Sequence, residues 1–149
     1  MYPIMIDIKQ FPVIVFGGGK IATRKVRQLV KEAARPMVIA PDLTEELEDL
    51  LRHDKITAQK RPFKAGDTTS YTFVFICTND SAVNQQILEE TTAEQFVNDT
   101  TKQERSNFFN LAIVEKKGFK IAISSQGSSP TKTKQLKQKI EKLIENEEA

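Results

Sequence analysis

Cysteine and histidine are nearly missing from this 149-residue chain, with Cys77 and His53 the only examples of each. One cysteine excludes an intrachain disulfide, which fits a reducing, cytoplasmic setting. No second His or Cys stands near either residue, so no metal-ligand spacing is present and no metal site is expected. Cys77 ends the apolar run Phe73-Val74-Phe75-Ile76 and reads as a small buried hydrophobe. His53 sits in Leu51-Arg52-His53-Asp54-Lys55 and reads as a surface residue. No apolar run is long enough to span a membrane. Asp7 and Lys9 interrupt the short apolar start, so no signal-peptide pattern is expected there. Charge of one sign is also lacking. The net charge of +2 gives no footprint for non-specific nucleic-acid binding. No internal repeat is visible. The length suits one domain with a real core and a short appendage.

The near balance of charge hides a local excess. From Glu115 to Lys142 the chain carries eight lysines (116, 117, 120, 132, 134, 137, 139 and 142) against two glutamates. The plainer reading is a solvated amphipathic helix and its approach. The functional alternative is a basic wall for a polyanionic substrate or partner.

The most informative stretch runs from Pro12 to Val26 (PVIVFGGGKIATRKV). It reads as a strand buried on both faces, a glycine turn and a helix. Gly17, Gly19 and Ala22 have the spacing G-x-G-x-x-A. Gly17 permits the tight turn, Gly19 lets backbone approach a pyrophosphate, and Ala22 lets the helix pack closely on the strand. The helix then offers unpaired N–H groups and the positive end of its dipole to an anion. Ile21, Val26, Leu29 and Val30 recur at helical spacing, and Pro36 to Ala40 reads as a second strand. Strand, turn, helix and strand fit in roughly thirty residues, the size of one βαβ unit. Three small residues also recur by chance, and a turn without a ligand is the alternative.

Beyond it the reading continues as a helix from Asp42 with Leu43, Leu47, Leu50 and Leu51 on one face, then a strand over Lys55 to Gln59. Pro62 to Ser70 is loop, Tyr71 to Thr78 strand, and Thr78 to Ser81 a turn and N-cap before a helix through Val83, Ile87 and Leu88. Gln95 to Asn98 is a short strand. This alternation predicts an α/β fold with a Rossmann-like, mostly parallel sheet and helices on both faces. After a polar loop over Thr100 to Asn107, Leu111 to Val114 and Phe119 to Ser124 form a hairpin around Lys116-Lys117-Gly118. Ser128 or Ser129 caps a last helix with Pro130 near its first turn. Its apolar stripe is Leu136, Ile140, Leu143 and Ile144. The acidic end Glu145-Asn146-Glu147-Glu148 opposes the helix dipole. Either the chain is a fragment of a longer protein, or the stripe finds its partner on another subunit.

These residues resemble a family. Tyr2-Pro3-Ile4 with Asp7, the glycine box through Arg24-Lys25-Val26, Val38 to Pro41, Cys77 to Asp80 with Asn84, Asn98, and Ile121 to Pro130 match in order. The pattern resembles the siroheme synthase N-terminal domain, a family of NAD-dependent precorrin-2 dehydrogenases. Some members are also sirohydrochlorin ferrochelatases. The resemblance implies an NAD-binding domain (1–107) followed by a dimerisation region (108–149), with a helical domain beyond the last residue. It implies a cytoplasmic homodimer acting on a tetrapyrrole.

The resemblance places NAD on Gly17, Gly18, Gly19, Lys20 and Ile21, and on Pro41 and Asp42. Independently, Asp42 lies roughly twenty residues past the glycines, where an acid meets the adenine ribose hydroxyls. Thr78 and Asn79 end a strand at the carboxyl edge where such sheets bind ligands, and a helix cap is their alternative role. For the substrate, Asn107, Ser124, Ser125, Lys132 and Lys134 are the candidates. The family has Asn-x-x-Asp with the Asp as acid/base. Counting from Asn98, that position is Thr101, with Asp99 two residues earlier. Both are candidate catalytic residues, and threonine alone is a poor base. The arginine that follows Ser-Pro in the family is Lys134 here, a point charge in place of a fork. The expected activity is dehydrogenation of precorrin-2 to sirohydrochlorin. The alternatives are a non-catalytic NAD or tetrapyrrole-binding module and a ferrochelatase.

Overall fold

The computed structural model describes residues 1–126 and 128–146. Gly127 of the Ser-Pro motif and the acidic Glu147-Glu148 lie outside the described residues. The chain divides into two compact units, Met1–Phe108 and Phe109–Ala149, each taken by itself.

The first unit is built on a five-stranded sheet of β1 (Val13–Phe16), β2 (Met37–Ile39), β3 (Thr57–Gln59), β4 (Phe73–Ile76) and β5 (Phe96–Asp99). All pairings are parallel, in the order β3-β2-β1-β4-β5. Every residue of β1 and β4 is buried, which is why both read as unbroken apolar runs. Alternate side chains separate two cores. Val13, Val15, Phe73 and Phe75 pack with Ala22, Val26 and Leu29 of α1 (Lys20–Lys31) and Leu47 of α2 (Glu45–Arg52). Ile14, Phe16, Val74 and Ile76 pack with Ile87 of α3 (Ser81–Glu90). Between β1 and β4 the strand order reverses, and the carboxyl ends of those strands frame a crevice.

Local chemistry sets the boundaries. The helix expected from Asp42 starts at Glu45, because the Thr44 hydroxyl accepts from the Leu47 N–H at 3.4 Å. That hydroxyl also pairs with Thr23 of α1 at 2.7 Å. Helix α1 closes with Ala33 N–H on Val30 O and Ala34 N–H on Leu29 O, both 3.0 Å. This puts Ala33 at φ 60°. Of the residues proposed for the α3 cap, Asp80 does the capping, accepting from Ala82 N and Val83 N.

The second unit is a hairpin of β6 (Ala112–Lys116) and β7 (Phe119–Ile123) with α4 (Pro130–Asn146). Lys116 faces Phe119, so Lys117 and Gly118 alone make the turn, at φ 49° and 79°. Two left-handed residues in a row match the twist of a hairpin. Ser129 caps α4 by accepting from Lys132 N at 3.3 Å, with Pro130 as its first helical residue. The expected single stripe is divided. Ile140 and Ile144 are half-buried, while Leu136 and Leu143 remain 48% and 65% exposed.

Candidate functional site

A cavity of about 760 Å³ opens in the first unit at the crevice between β1 and β4. The glycine turn, the β2–α2 loop and the turn after β4 line it. Gly17, Gly18, Gly19, Lys20, Ile21, Pro41, Asp42, Thr78 and Asn79 therefore meet in one place, though they span three segments.

The three glycines do different work. Gly17 has φ +116°, and a Cβ there would meet the Cys77 carbonyl oxygen at 2.7 Å. A Cβ on Gly18 would sit 1.9 Å from the Asp42 carbonyl oxygen. The Thr44 N–H donates to Gly18 O at 3.1 Å, so this glycine is the seat of the β2–α2 loop. The G-x-G-x-x-A spacing gives no hint of that role. A Cβ on Gly19 would meet no protein atom within 4 Å. Gly19 is the N-cap of α1 without a side-chain cap, and the first N–H groups of the helix lack intrahelical acceptors. An open glycine, a bare helix N-terminus and an acidic residue on one cavity wall fit the pyrophosphate and ribose of a dinucleotide.

One further part of the lining was not legible in the sequence. It includes Pro62 and Phe63, from the stretch read only as loop. Phe63 stands edge-on to Phe16, ring centroids 5.5 Å apart. Arg61 fixes this loop through a two-pronged contact with Asp67, both bonds 2.7 Å. Arg61 holds the Asp67 carboxyl below its usual range. The position just past β3, at a strand's carboxyl end, is the one signal that pointed here.

After β4, the Thr78 hydroxyl bonds the Asp80 carbonyl and the buried Asn84 side chain, whose Nδ2 returns to Thr78 O at 3.1 Å. This knot fixes the turn, and the exposed Asn79 side chain stays outside it. Burial pushes the Cys77 thiol up to about 11, so it is neutral and unreactive at ordinary pH. Burial lowers the Lys25 ammonium, which lies over the Phe75 ring at 5.8 Å.

The other candidates lie elsewhere. Asp99 ends β5 with a fully buried side chain, and the exposed Thr101 donates its hydroxyl to Asp99 Oδ1 at 2.6 Å. Neither lines the cavity. Asn107 accepts from Val97 N–H and donates to Gln95 O, each at 2.7 Å. Its amide is committed to the edge of β5, covering strand groups that would otherwise be bare. In the second unit, Ser124 Oγ accepts from Gln126 N, and Ser125 Oγ accepts from Ser129 N and pairs with Thr133. Lys132 and Lys134 are exposed on α4. His53 is exposed at the end of α2, its Nδ1 2.9 Å from Asp49 O. Among the described residues no three His, Cys, Asp or Glu side chains are grouped to hold a metal ion. No described helix is long and apolar enough to cross a membrane.

Residues 4–112 match the family described as "Putative NAD(P)-binding". A precorrin-2 dehydrogenase of Priestia megaterium is 30% identical over 140 residues, 94% of this chain and 69% of the relative. One from Bacillus subtilis is 29% identical over 147 residues, 99% of this chain and 91% of the relative. A siroheme synthase of Actinobacillus pleuropneumoniae is 36% identical over 143 residues, and the match spans only 29% of that longer protein. The solved structure named "SirC, precorrin-2 dehydrogenase" superposes with a TM-score of 0.85 at 30% identity, covering 94% of this chain and 69% of that one. A glycine turn at the switch point of a parallel sheet thus finds its relatives in one place: the chain belongs to the NAD(P)-binding family of the precorrin-2 dehydrogenases and siroheme synthases.

Proposed function

We propose that this chain is an NAD-dependent oxidoreductase that converts precorrin-2 to sirohydrochlorin in siroheme biosynthesis. The observation that carries the reading is the cavity at the β1–β4 switch point, with an open Gly19 and Asp42 on its wall. Gly17 to Ile21 would hold the pyrophosphate through backbone N–H groups. Asp42 would accept from the ribose hydroxyls, which favours NAD over its 2′-phosphorylated form. Thr78 and Asn79 would border the nicotinamide end. When bound, NAD supplies the hydride acceptor. The rest of the work is positioning, which carries much of a hydride transfer.

Precorrin-2 is a polycarboxylate, and Lys132 and Lys134 are proposed to hold its carboxylates, with Ser124 and Ser125 as further contacts. The commitment of the Asn107 amide to β5 counts against the same role for it. Residues 1–107 serve as the cofactor domain and 108–149 as the dimerisation region of a cytoplasmic homodimer. The exposed Phe119, Leu136 and Leu143 support that second role. A second reading, a binding module without turnover, draws on Thr101 at the family's acid/base position.

The test supplies precorrin-2 and NAD and follows NADH together with sirohydrochlorin absorbance. Coupled appearance of both is expected. NAD binding without turnover would favour the module, and iron insertion measured in parallel reads out chelatase activity. Replacing Lys132 and Lys134 with Glu is expected to weaken precorrin-2 affinity and leave NAD affinity intact. Unchanged turnover in that variant removes both lysines from the substrate site.

A further inference from the structure

We infer that Thr101 and Asp99 form a proton-accepting pair, with Thr101 meeting the substrate and Asp99 acting through it. The inference rests on the dehydrogenase reading above and assigns the proton that the reaction must release.

Asp99 is an unusual carboxylate. Its side chain is fully buried at the carboxyl end of β5. Oδ1 accepts three bonds, from Thr101 N at 2.8 Å, Thr101 Oγ1 at 2.6 Å and Lys102 N at 3.3 Å. Oδ2 is buried and has no hydrogen-bond partner among the described residues. The Arg105 guanidinium stands 3.9 Å off, near enough to steady a charge and too far for a hydrogen bond. A buried acceptor left without a partner costs stability, so its persistence calls for a reason.

Thr101 supplies the exposed half. A hydroxyl has one proton and two lone pairs. Its proton is aimed at Asp99, so the lone pairs face away from the carboxylate, and the residue is exposed. The group is thus oriented to accept a proton from outside and to pass its own inward. The loop that carries it is tied down. Thr100 donates both its N–H and its hydroxyl to Ile76 O, at 3.0 and 2.9 Å. Ser106 Oγ accepts from Asp99 N at 2.9 Å. Ile76 is followed directly by Cys77 and Thr78, which line the cavity. The pair therefore stands one strand over from the proposed nicotinamide end, on the same edge of the sheet.

Dehydrogenation removes a hydride and a proton from the substrate. The hydride and its electron pair go to the bound dinucleotide. The substrate's bond to the second hydrogen breaks, its electrons remain in the macrocycle as the new double bond, and Thr101 Oγ takes the proton. The original hydroxyl proton passes to Asp99 Oδ1. Threonine alone is too weak a base for this, and the carboxylate behind it supplies the missing basicity.

The test compares Thr101→Val, Thr101→Ser and Asp99→Asn, reading kcat and KM for precorrin-2, NAD affinity and Tm. Valine keeps the shape and removes the hydroxyl. Asparagine keeps an oxygen for the three donors and cannot take the proton. The expected result is a fall in kcat of about 10²–10⁴ for Thr101→Val and for Asp99→Asn. Serine restores most of what valine removes, NAD affinity stays put, and the double variant falls little further than either single one. Wild-type kcat in Thr101→Val overturns the pair while leaving the dehydrogenase intact. So does a loss in Asp99→Asn alone. A wild type that binds NAD and never oxidises precorrin-2 overturns the functional reading, and the pair with it.

Discussion

The two units of this chain solve the problem of burial differently. The first covers a five-stranded sheet with helices on both faces and fills two cores with the alternate residues of each strand. The second has a two-stranded hairpin and one helix. Val114 and Ile123 are its buried apolar residues among those described, and Phe119 is left 67% exposed with Leu136 and Leu143. A hairpin alone is marginal in water, and one helix covers one face of it. The first unit has two filled cores and a cavity at one edge, and leaves Tyr2, Ile4 and Met5 exposed near its start. The second keeps a larger share of its apolar side chains on its surface, which supports the proposed dimerisation role.

The largest effect that sharpens this contrast lies in the glycine turn. Gly18→Ala drives a methyl into the Asp42 carbonyl oxygen, which is backbone and cannot swing aside. It is expected to cost about 3 kcal/mol or more and to abolish NAD binding, read by thermal melting and calorimetry. Gly19→Ala meets no protein atom, so its melting should match the wild type. Only its NAD affinity should fall, by about tenfold or more, equivalent to ~1.4 kcal/mol. Equal melting of both variants would remove the distinction between a structural and a ligand-facing glycine.

The second unit is broken from its surface. Replacing Leu136 and Leu143 together with Ser should weaken the proposed self-association about 100-fold, roughly 2.7 kcal/mol, by sedimentation. NAD affinity should not change. An unaltered oligomeric state would take these leucines out of the interface.

Cys77 gives a smaller, pH-dependent effect inside the first unit. Burial raises its thiol from an ordinary 9.0 to about 11. Below pH 9 neither the folded nor the unfolded chain ionises it, and its contribution is fully present. As pH climbs from 9 toward 11 the unfolded chain releases the proton first, so stability falls across that window. Denaturant melts at pH 8 and 10.5 should differ for the wild type more than for Cys77→Ala. A thiol reagent at pH 8 should label unfolded protein well ahead of folded protein.

The smallest effect is a gain. Ala33 holds the left-handed position that closes α1. Ala33→Gly should raise stability by about 0.5–1 kcal/mol, the relief of the Cβ clash exceeding the entropy lost to a looser unfolded chain. Chemical denaturation reads it directly.

These contrasts show what a sequence displays and what it conceals. The β1–turn–α1 unit was legible because Val13 to Phe16, the glycines and Ala22 each obey a local rule. Asp42, from its distance past the glycines, and Thr78 and Asn79, from a strand end, were expected near the glycine turn, and all three line its cavity. The roles that escaped depend on distant partners. Gly18 is needed because a loop more than twenty residues on folds over it. Phe63 forms a wall because Arg61 grips Asp67, in a segment with no period to read. Asn107 was a candidate for the substrate, and its amide bonds to Val97 and Gln95 across the edge of β5 had no local signal. The last helix showed four apolar residues, and only the hairpin beneath decides that Ile140 and Ile144 turn inward while Leu136 and Leu143 do not.

The seating of the β2–α2 loop on Gly18 ties the two proposed recognition tasks to one joint. The Asp42 backbone presses on the glycine turn, and the Thr44 N–H holds that turn's carbonyl. Thr44 also caps α2 and bonds Thr23 of α1. Any redesign of residues 41–44 to alter the proposed ribose contact therefore displaces the proposed phosphate cradle as well. On the proposed reading, cofactor preference in this chain travels as a cassette of turn, loop and two helix starts, and an exchange that moves only the acidic residue transplants half of a lock.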